Sequence, residues 1–330
     1  MDRIGVGVIG AGKHGQRYLR HIQADIPELR LAALSRQDIA AGSAQARELR
    51  CAFHGDWRAL VGDSEVAAVV AVVPPTLHRA VAEVCAQARK PLLLEKPLAT
   101  TTRDAWAIVR TVHAAGVPCL MAHTLRWNAV VRAARERLPA LGPLRALALN
   151  QRFEPSSLAW LDDPAISGGG IVLHTGVHSF DLLRFLTGDE VRSVQCRTAR
   201  VVTQRTEDQF LAMMALAGSD ALVSVSGSRA TRGRSGLIDA ACADAQLVGD
   251  HQQHWLHEVR GLARAPLPVG EPVPTVREAL RAFVALLHSG TPPPVSLEDG
   301  ARAVAIAEAC LRSAAAGGVA VPVEGRPSGD

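Results

Sequence analysis

The chain has 330 residues, of which 48% are hydrophobic and 21% charged, with a formal net charge of +4. This length favours two domains, each able to bury its own core. The mild, scattered positive charge predicts neither a nucleic-acid nor a membrane partner, and no apolar run reaches membrane-spanning length. The six cysteines lie far apart without a C-x-x-C pair, which favours a cytoplasmic protein over a disulfide-linked one.

The first predicted element is an apolar strand over residues 3–9 that runs into a glycine-rich turn and then an amphipathic helix. In a G-x-G-x-x-G turn at this place, the first glycine permits the tight turn and the second lets the backbone approach a pyrophosphate. The third lets the helix pack on the strand, with its free N–H groups toward the phosphates. The predicted dinucleotide-binding residues of this turn are Gly10, Ala11, Gly12, Lys13, His14 and Gly15.

The second predicted strand, residues 29–34, ends in Ser35-Arg36. An NAD site usually places an Asp or Glu here, on the ribose. A hydroxyl beside a guanidinium suits a 2′-phosphate instead. We therefore predict that Ser35 and Arg36 bind NADP(H). In the alternative, Arg36 stacks on the adenine of NAD(H).

Two further apolar runs, residues 67–73 and 92–94, predict central strands that are buried on both faces. Ligands bind at the carboxyl ends of such strands, so the residues that follow each run are expected to face the cofactor. These predicted cofactor-binding residues are Pro74, Pro75, His78, Glu95 and Lys96.

Lys96 is one of only three lysines in a chain that otherwise uses arginine. Its retention indicates chemistry that needs a compact, tunable ammonium, and we predict a catalytic role. The alternative is a surface pair of Lys96 with Glu95 at the end of a strand. Pro97 is a candidate for a cis peptide bond, because a rigid turn at this place would aim the lysine.

The regular alternation of strand and helix predicts a doubly wound parallel sheet over residues 1–122. The pattern changes after that point. Residues 193–202, 206–217, 221–230 and 235–241 read as successive strands of a mostly antiparallel sheet. We therefore assign residues 123–330 to a second α/β domain for substrate binding and oligomerisation.

A predicted helix after Gly168-Gly169-Gly170 carries His174 and His178. Residues four apart lie on one face of an α-helix, and Asp181 is near enough to hold His178 in one tautomer. The pair has no obvious third metal ligand, so we predict proton transfer by His178 and His174 rather than a metal site. The alternative is a glycine-packed helix with two structural histidines.

Other polar features of the second half are weaker evidence for a functional site. His251, His254 and His257 form an H-x-x-H-x-x-H pattern, but on a strand His254 would face away from the other two, so we predict no metal site. Three arginines at 229, 232 and 234 are expected to form a solvated rim. The strand over residues 221–230 has one apolar and one small polar face, which is either solvated or pairs with a second copy of the chain; we predict a homo-oligomer.

Taken in order, Gly10-Ala11-Gly12, Pro74 to His78, Glu95-Lys96-Pro97 and the segment from Gly168 to Asp181 resemble the glucose-fructose oxidoreductase/inositol dehydrogenase/rhizopine catabolism (Gfo/Idh/MocA) family. The resemblance covers nearly the whole chain. It implies an N-terminal Rossmann domain and a C-terminal α/β domain whose large, mostly antiparallel open sheet supports a homodimer or homotetramer.

The resemblance also implies hydride transfer between NAD(P) and a secondary alcohol or carbonyl of a sugar, polyol or related small molecule. Lys96 corresponds to the active-site lysine and His178 to the catalytic histidine. His174 stands where the family usually has an aspartate that helps to bind the reacting hydroxyl. The residues expected to contact substrate are Arg126, Trp127, His174 and Asp181. The alternative function is a non-catalytic regulator or sensor of the same fold.

Overall fold

The computed structural model of the protein describes residues 3–326, and the strands of this range form two sheets. The elements of the first sheet and its helices are β1 (Ile4–Ile9), α1 (Gly15–Ala24), β2 (Leu29–Ser35), α2 (Ile39–Leu49), β3 (Ala52–His54), α3 (Trp57–Gly62), β4 (Ala68–Ala71), α4 (His78–Gln87), β5 (Leu92–Leu94), α5 (Thr102–Ala115) and β6 (Cys119–Met121).

The first sheet is a Rossmann sheet. Among the described residues its six strands run parallel in the order β3-β2-β1-β4-β5-β6, so the strand order reverses between β1 and β4. The predicted doubly wound topology is thereby confirmed. The apolar runs of the sequence form buried strands of this sheet, and each of the three leucines of β5 is 0% exposed.

The elements of the remaining chain are α6 (Ala129–Arg137), β7 (Leu144–Arg152), α7 (Pro164–Ser167), a π-helical turn (Val172–Gly176), α8 (Val177–Thr187), β8 (Val191–Ala199), β9 (Gln209–Leu216), β10 (Leu222–Ser228), β11 (Ser235–Cys242), β12 (Gln246–Asp250), β13 (Trp255–Arg260), β14 (Ala263–Pro266), α9 (Thr275–Ser289), α10 (Leu297–Ala315) and β15 (Val321–Pro322).

The second sheet is large and mostly antiparallel, as predicted. In residues 3–326 it has nine strands in the order β14-β13-β12-β11-β7-β10-β9-β8-β15, and β7 and β10 form its parallel pair. Its inner face packs on α6, α8 and the second part of α10 in one apolar core. Outward-pointing residues on the central strands remain exposed, with Met213 58% and Leu222 78% accessible.

By its internal contacts the chain divides into two compact units. The first comprises the residues up to Ala99, Arg103–Thr124 and Pro274–Ala301, and the second comprises Thr100–Thr102, Leu125–Val273 and the chain from Arg302 onward. The sequence-based division at residues 122 and 123 lies within two residues of the main boundary, but these units also assign Pro274–Ala301 to the first unit and Thr100–Thr102 to the second.

The assignment of Pro274–Ala301 to the first unit has a physical cause in the packing of that unit. The helix α9 buries Val276 and Phe283 and contacts α1. Val295 accepts a hydrogen bond from the main-chain N–H of Met121 at 3.1 Å, next to the end of β6. The amphipathic pattern of α9 predicted a buried face, but a periodic pattern does not say which surface covers it.

Candidate active site

The loops that follow β1, β2, β4 and β5 meet at the carboxyl edge of the parallel sheet. Neighbouring strands are paired in register, so the segments after them lie side by side. These segments carry the predicted cofactor-binding residues Gly10, Ala11, Gly12, Lys13, His14, Gly15, Ser35, Arg36, Pro74, Pro75, His78, Glu95 and Lys96. The topology thus gathers at one edge what is scattered along the sequence.

Two of the three motif glycines are required by the protein's own packing. Gly10 has a φ of +90°, and a Cβ there would lie 2.1 Å from the carbonyl oxygen of Val72. A Cβ at Gly15 would lie 2.1 Å from the carbonyl oxygen of Gly10. The predicted roles of these residues, a tight turn and the close packing of α1, are confirmed.

Glu95 is the buried junction between the glycine loop and the end of β5. Its Oε1 accepts hydrogen bonds from the Tyr18 hydroxyl at 2.6 Å and from His14 Nε2 at 2.7 Å, and its Oε2 accepts one from the Lys96 N–H at 2.9 Å. Burial alone would raise the pKa of Glu95, but His14, Lys96 and Tyr18 together lower it well below its usual range. The carboxylate is therefore ionised, and it is not the surface partner of Lys96 that the alternative interpretation assumed.

The peptide bond between Lys96 and Pro97 is cis, as the sequence analysis expected. His78 is fully buried beside this turn, with its ring nitrogens 3.1 Å from the carbonyl oxygens of Leu98 and Val73. Burial lowers the pKa of His78, although these carbonyls and Glu95 oppose the shift. His78 thus ties the loop after β4 to the segment after Pro97.

The end of β2 carries Ser35 and Arg36, neither of which is acidic. Ser35 is buried and Arg36 is half-buried, with Nη1 3.5 Å from the Gln45 side-chain oxygen. Asp38, the nearest acidic residue, accepts a hydrogen bond from the main-chain N–H of Ala41 and caps α2. Its carboxylate is therefore committed to the helix N-terminus.

The histidine-bearing segment of the second unit begins with a π-helical turn and not with the α-helix that was predicted. Glu207 holds this turn, because its Oε1 accepts the N–H groups of Gly170 at 3.0 Å and Val172 at 3.1 Å. Residue 170 must be a glycine in this turn, since a Cβ there would lie 2.0 Å from the Glu207 carbonyl oxygen. A π-turn changes the angle between residues four apart, and such turns are frequent at functional sites.

His174 and His178 therefore have different surroundings. His174 lies inside the π-turn and is buried, with Nε2 2.9 Å from the carbonyl oxygen of Ser167 and its ring edge against Trp160. Because a carbonyl only accepts, His174 Nε2 carries the proton. His178 follows as the second residue of α8 and is half-buried. The two histidines that were predicted to share proton transfer thus differ in burial and in local backbone structure.

Asp181 is paired with Arg126. The two make a bidentate ion pair, with Arg126 Nη2 2.6 Å from Oδ1 and Nε 2.9 Å from Oδ2. Both residues were predicted to contact substrate, but in the structure each neutralises the buried charge of the other. The predicted role of Asp181 in holding His178 in one tautomer stays a prediction. Trp127, at the end of the same 3₁₀ turn as Arg126, is half-buried.

The comparisons with known proteins agree with this architecture. Residues 4–123 match the family described as "Oxidoreductase family, NAD-binding Rossmann fold", and residues 132–251 match the "GFO/IDH/MocA C-terminal domain". An inositol 2-dehydrogenase of Saccharopolyspora erythraea is 30% identical over 93% of this chain and 93% of its own length. The chain belongs to the Gfo/Idh/MocA oxidoreductase family.

Other relatives and solved structures support the same placement. A 1,5-anhydro-D-fructose reductase of Ensifer adhaerens is 27% identical over 78% of this chain and 80% of its own length. A levoglucosan dehydrogenase in complex with NADH superimposes with a TM-score of 0.88 at 20% identity, over 98% of this chain and 100% of the other. An oxidoreductase domain protein from Kribbella flavida gives 0.89 at 21%, over 98% and 100%. At these identities the solved structures confirm the fold.

Gly12 tests whether this Gfo/Idh/MocA chain is shaped for a dinucleotide. A Cβ at Gly12 would have nothing within 4 Å, in contrast to Gly10 and Gly15. The protein's own packing therefore does not require glycine here. A phosphate group that approaches the backbone closely does require it, and the residues present fit the NAD-type cofactor of the family.

The second unit contains a small cavity that the sequence analysis missed. Its volume is about 190 Å³, and it is lined by His174, Arg229, three carboxylate residues and part of the loop after β7. Arg229 was expected in a solvated rim, yet it is half-buried and donates from Nε to the Thr175 hydroxyl at 3.0 Å. Burial and, to a smaller extent, the charge of Arg234 lower the pKa of Arg229.

Neither a metal centre nor a membrane span is evident in the described part of the chain. Residues 3–326 contain no group of three or more His, Cys, Asp or Glu side chains that could hold a metal ion. Within the same range, every helix is too short or too polar to cross a bilayer. His254 lies in a turn with a φ of +60°, and not on the strand that the sequence analysis assumed for it.

Proposed function

We propose that this protein is an NAD(P)-dependent dehydrogenase that interconverts a secondary alcohol and a ketone on a sugar or polyol. The observation that carries the proposal is the carboxyl edge of the Rossmann sheet. There, a glycine loop with open space at Gly12 adjoins the Glu95-Lys96 segment, which a buried hydrogen-bond junction ties to that loop. The names of the relatives, inositol 2-dehydrogenases among them, support a polyhydroxylated substrate.

In the oxidative direction, the bound nicotinamide supplies the acceptor for the hydride that leaves the carbinol carbon. His178 accepts the hydroxyl proton as the C–O bond becomes a carbonyl. The Lys96 ammonium donates a hydrogen bond to the same oxygen and stabilises the negative charge that develops there. When a ketone is reduced, His178 gives the proton to the oxygen, and Lys96 keeps its hydrogen bond to that oxygen.

We propose NADP(H) as the preferred cofactor, with NAD(H) also accepted. Arg36 is the side chain that would meet a 2′-phosphate, because Asp38 is engaged at the N-terminus of α2. An arginine binds phosphate with directed N–H groups and charge, whereas the ribose of NAD(H) would find no carboxylate at Ser35 or Arg36.

We also propose that two copies of the chain pair through the outer face of the second sheet. Leu211, Met213, Leu222 and Leu237 are exposed there on β9, β10 and β11, beside a groove of about 670 Å³. An apolar face of this kind is typical of a contact between subunits. Light scattering should give more than one chain for the wild type and a single chain for Leu222→Asp. A monomeric wild type would contradict the proposal.

The dehydrogenase proposal is tested with a panel of neutral polyols and sugars, including myo-inositol, and with NAD and NADP in turn. We expect cofactor reduction for at least one member. His178→Ala should lower turnover by roughly 10²–10⁴-fold, while a conservative change at an exposed histidine, His288→Gln, should leave it unchanged. Normal turnover of His178→Ala would exclude the proton-transfer role.

A further inference from the structure

The cavity of the second unit has an unusual balance of charge. Three carboxylates line it, those of Asp162, Glu207 and Asp208. Each is already bound by main-chain N–H groups of neighbouring loops. Asp162 accepts from residues 204–206, Glu207 from Gly170 and Val172, and Asp208 from residues 201–203. Their negative charge is therefore directed at backbone donors.

Arg229 is the cation on the same wall, and it is not neutralised by these groups. Its Nε is fixed by the Thr175 hydroxyl, which orients the planar guanidinium. Among residues 3–326 it forms no ion pair, and its pKa is lowered by burial and by the like charge of Arg234. Arg234 is itself paired with Glu154 at 2.8 Å. The two terminal nitrogens of Arg229 therefore keep the fork of donors that carboxylates fit.

His174 adds to this character. It lines the cavity, and its Nε2 donates to the Ser167 carbonyl, so this wall presents a ring that is never anionic. The cavity also lies directly on the π-turn that precedes His178, because His174 and the Thr175 anchor of Arg229 both belong to that turn. A ligand held by Arg229 would therefore be held against the same segment that carries the proposed acid/base.

We propose that Arg229 binds a carboxylate of the substrate, so that the preferred substrates are sugar acids and not neutral polyols. This inference rests on the proposed function and narrows its substrate class. The volume of about 190 Å³ holds the equivalent of about six water molecules at ~30 Å³ each, which suits the acid end of a small sugar. Arg229 is then a specificity-determining residue.

The test measures binding and turnover separately. Calorimetry with saturating cofactor compares two matched pairs, D-glucuronate with D-glucose and D-galacturonate with D-galactose. We expect at least one acid to bind roughly 10-fold or more tightly than its neutral partner, and Arg229→Gln to remove a factor of roughly 10–100, the range of a charged hydrogen bond. Arg232→Gln is the matched control, because Arg232 is exposed and the charge change is the same.

The outcomes separate this inference from the proposed function. The inference is overturned if neither acid binds better than its neutral partner, if Arg229→Gln and Arg232→Gln behave alike, or if inorganic phosphate competes better than the sugar acids. Arg229→Lys keeps the charge but not the paired N–H donors, so it should retain only part of the preference for the acids. The comparison of acids with neutral sugars in the wild type remains a test even if a variant fails to fold. Turnover of neutral polyols without binding of the acids would support the dehydrogenase and contradict the carboxylate site. Arg229-dependent binding of an acid without cofactor reduction would support the carboxylate site and contradict the dehydrogenase.

Discussion

Arg126 and Asp181 form a bidentate ion pair in the second unit, with hydrogen bonds of 2.6 and 2.9 Å between nearly inaccessible side chains. The pair joins the 3₁₀ turn before α6 to the middle of α8, five residues after the end of the π-turn. The pair therefore holds α8, and with it His178, relative to α6.

Removal of one partner should destabilise the protein strongly. Arg126→Ala leaves the Asp181 carboxylate buried without its cation, and we expect the free energy of unfolding to fall by about 3–5 kcal/mol. Chemical denaturation measures this. The matched control is Arg30→Ala, which breaks an exposed pair with Glu65 and should cost no more than about 1 kcal/mol. Equal losses would show that burial of the Arg126 pair is not what matters.

Gly12 and Gly10 should respond to alanine in opposite ways. Gly12→Ala meets open space, so the melting temperature should stay near that of the wild type while the cofactor affinity falls roughly 10-fold or more. Gly10→Ala places a Cβ against Val72 at a φ of +90°, so the fold itself should lose more than about 1 kcal/mol. Thermal melting and fluorescence titration separate the two. Unchanged cofactor affinity in Gly12→Ala would mean that the dinucleotide binds elsewhere.

The cofactor preference should depend on Arg36. We expect NADP(H) to bind more tightly than NAD(H), and Arg36→Ala to weaken NADP(H) by roughly 10-fold or more while it leaves NAD(H) nearly unchanged. Asp38→Asn is the comparison variant, because it alters the nearby cap of α2 and not the guanidinium. Tighter binding of NAD(H) to the wild type would reverse the assignment.

His251 should make stability depend on pH. Burial lowers its pKa to about 4 against the opposing charge of Asp250, and the unfolded chain takes up this proton near pH ~6.5. Between these values the unfolded state binds more protons, so the free energy of unfolding falls as the pH drops from ~6.5 to about 4, by up to about 3 kcal/mol from this residue.

His251→Leu tests this dependence, because the buried Nε2 has no hydrogen-bond partner among the described residues and its loss is tolerable. The variant should flatten the decline of stability with falling pH, measured by denaturation between neutral pH and pH ~4. His288→Leu, at an exposed position, should keep the wild-type slope. Parallel curves for His251→Leu and the wild type would assign the acid sensitivity to other groups.

The Rossmann half of the fold followed closely from its sequence. The motif glycines and the strands β1, β2, β4 and β5 had local signals, and the carboxyl-edge rule then placed the loops together without knowledge of any long-range contact. Short or exposed elements lacked such a signal. Strand β3 has three residues and β14 is fully exposed, so neither has an apolar pattern to recognise.

Long-range partners were the part that sequence could not supply. Asp181 is three residues from His178, and local spacing favoured that pair over Arg126, which is 55 residues away. Arg229 sits among polar residues in the sequence, and only the fold brings it beside the π-turn. The π-turn itself depends on Glu207, a residue on a different loop. These contacts are properties of tertiary packing, and periodicity carries no information about them.

Isotope tracing tests most directly whether hydride leaves a carbinol carbon while Lys96 and His178 act on its oxygen. A substrate that supports turnover is deuterated at the carbon bearing the reacting hydroxyl, and the reduced cofactor is analysed by mass spectrometry. We expect the deuterium to appear on the nicotinamide, and Lys96→Met and His178→Ala to slow its transfer by roughly 10²–10⁴-fold. Deuterium that stays in the product or passes to solvent while product forms, or a cofactor that binds but is never reduced by any substrate, would contradict the account.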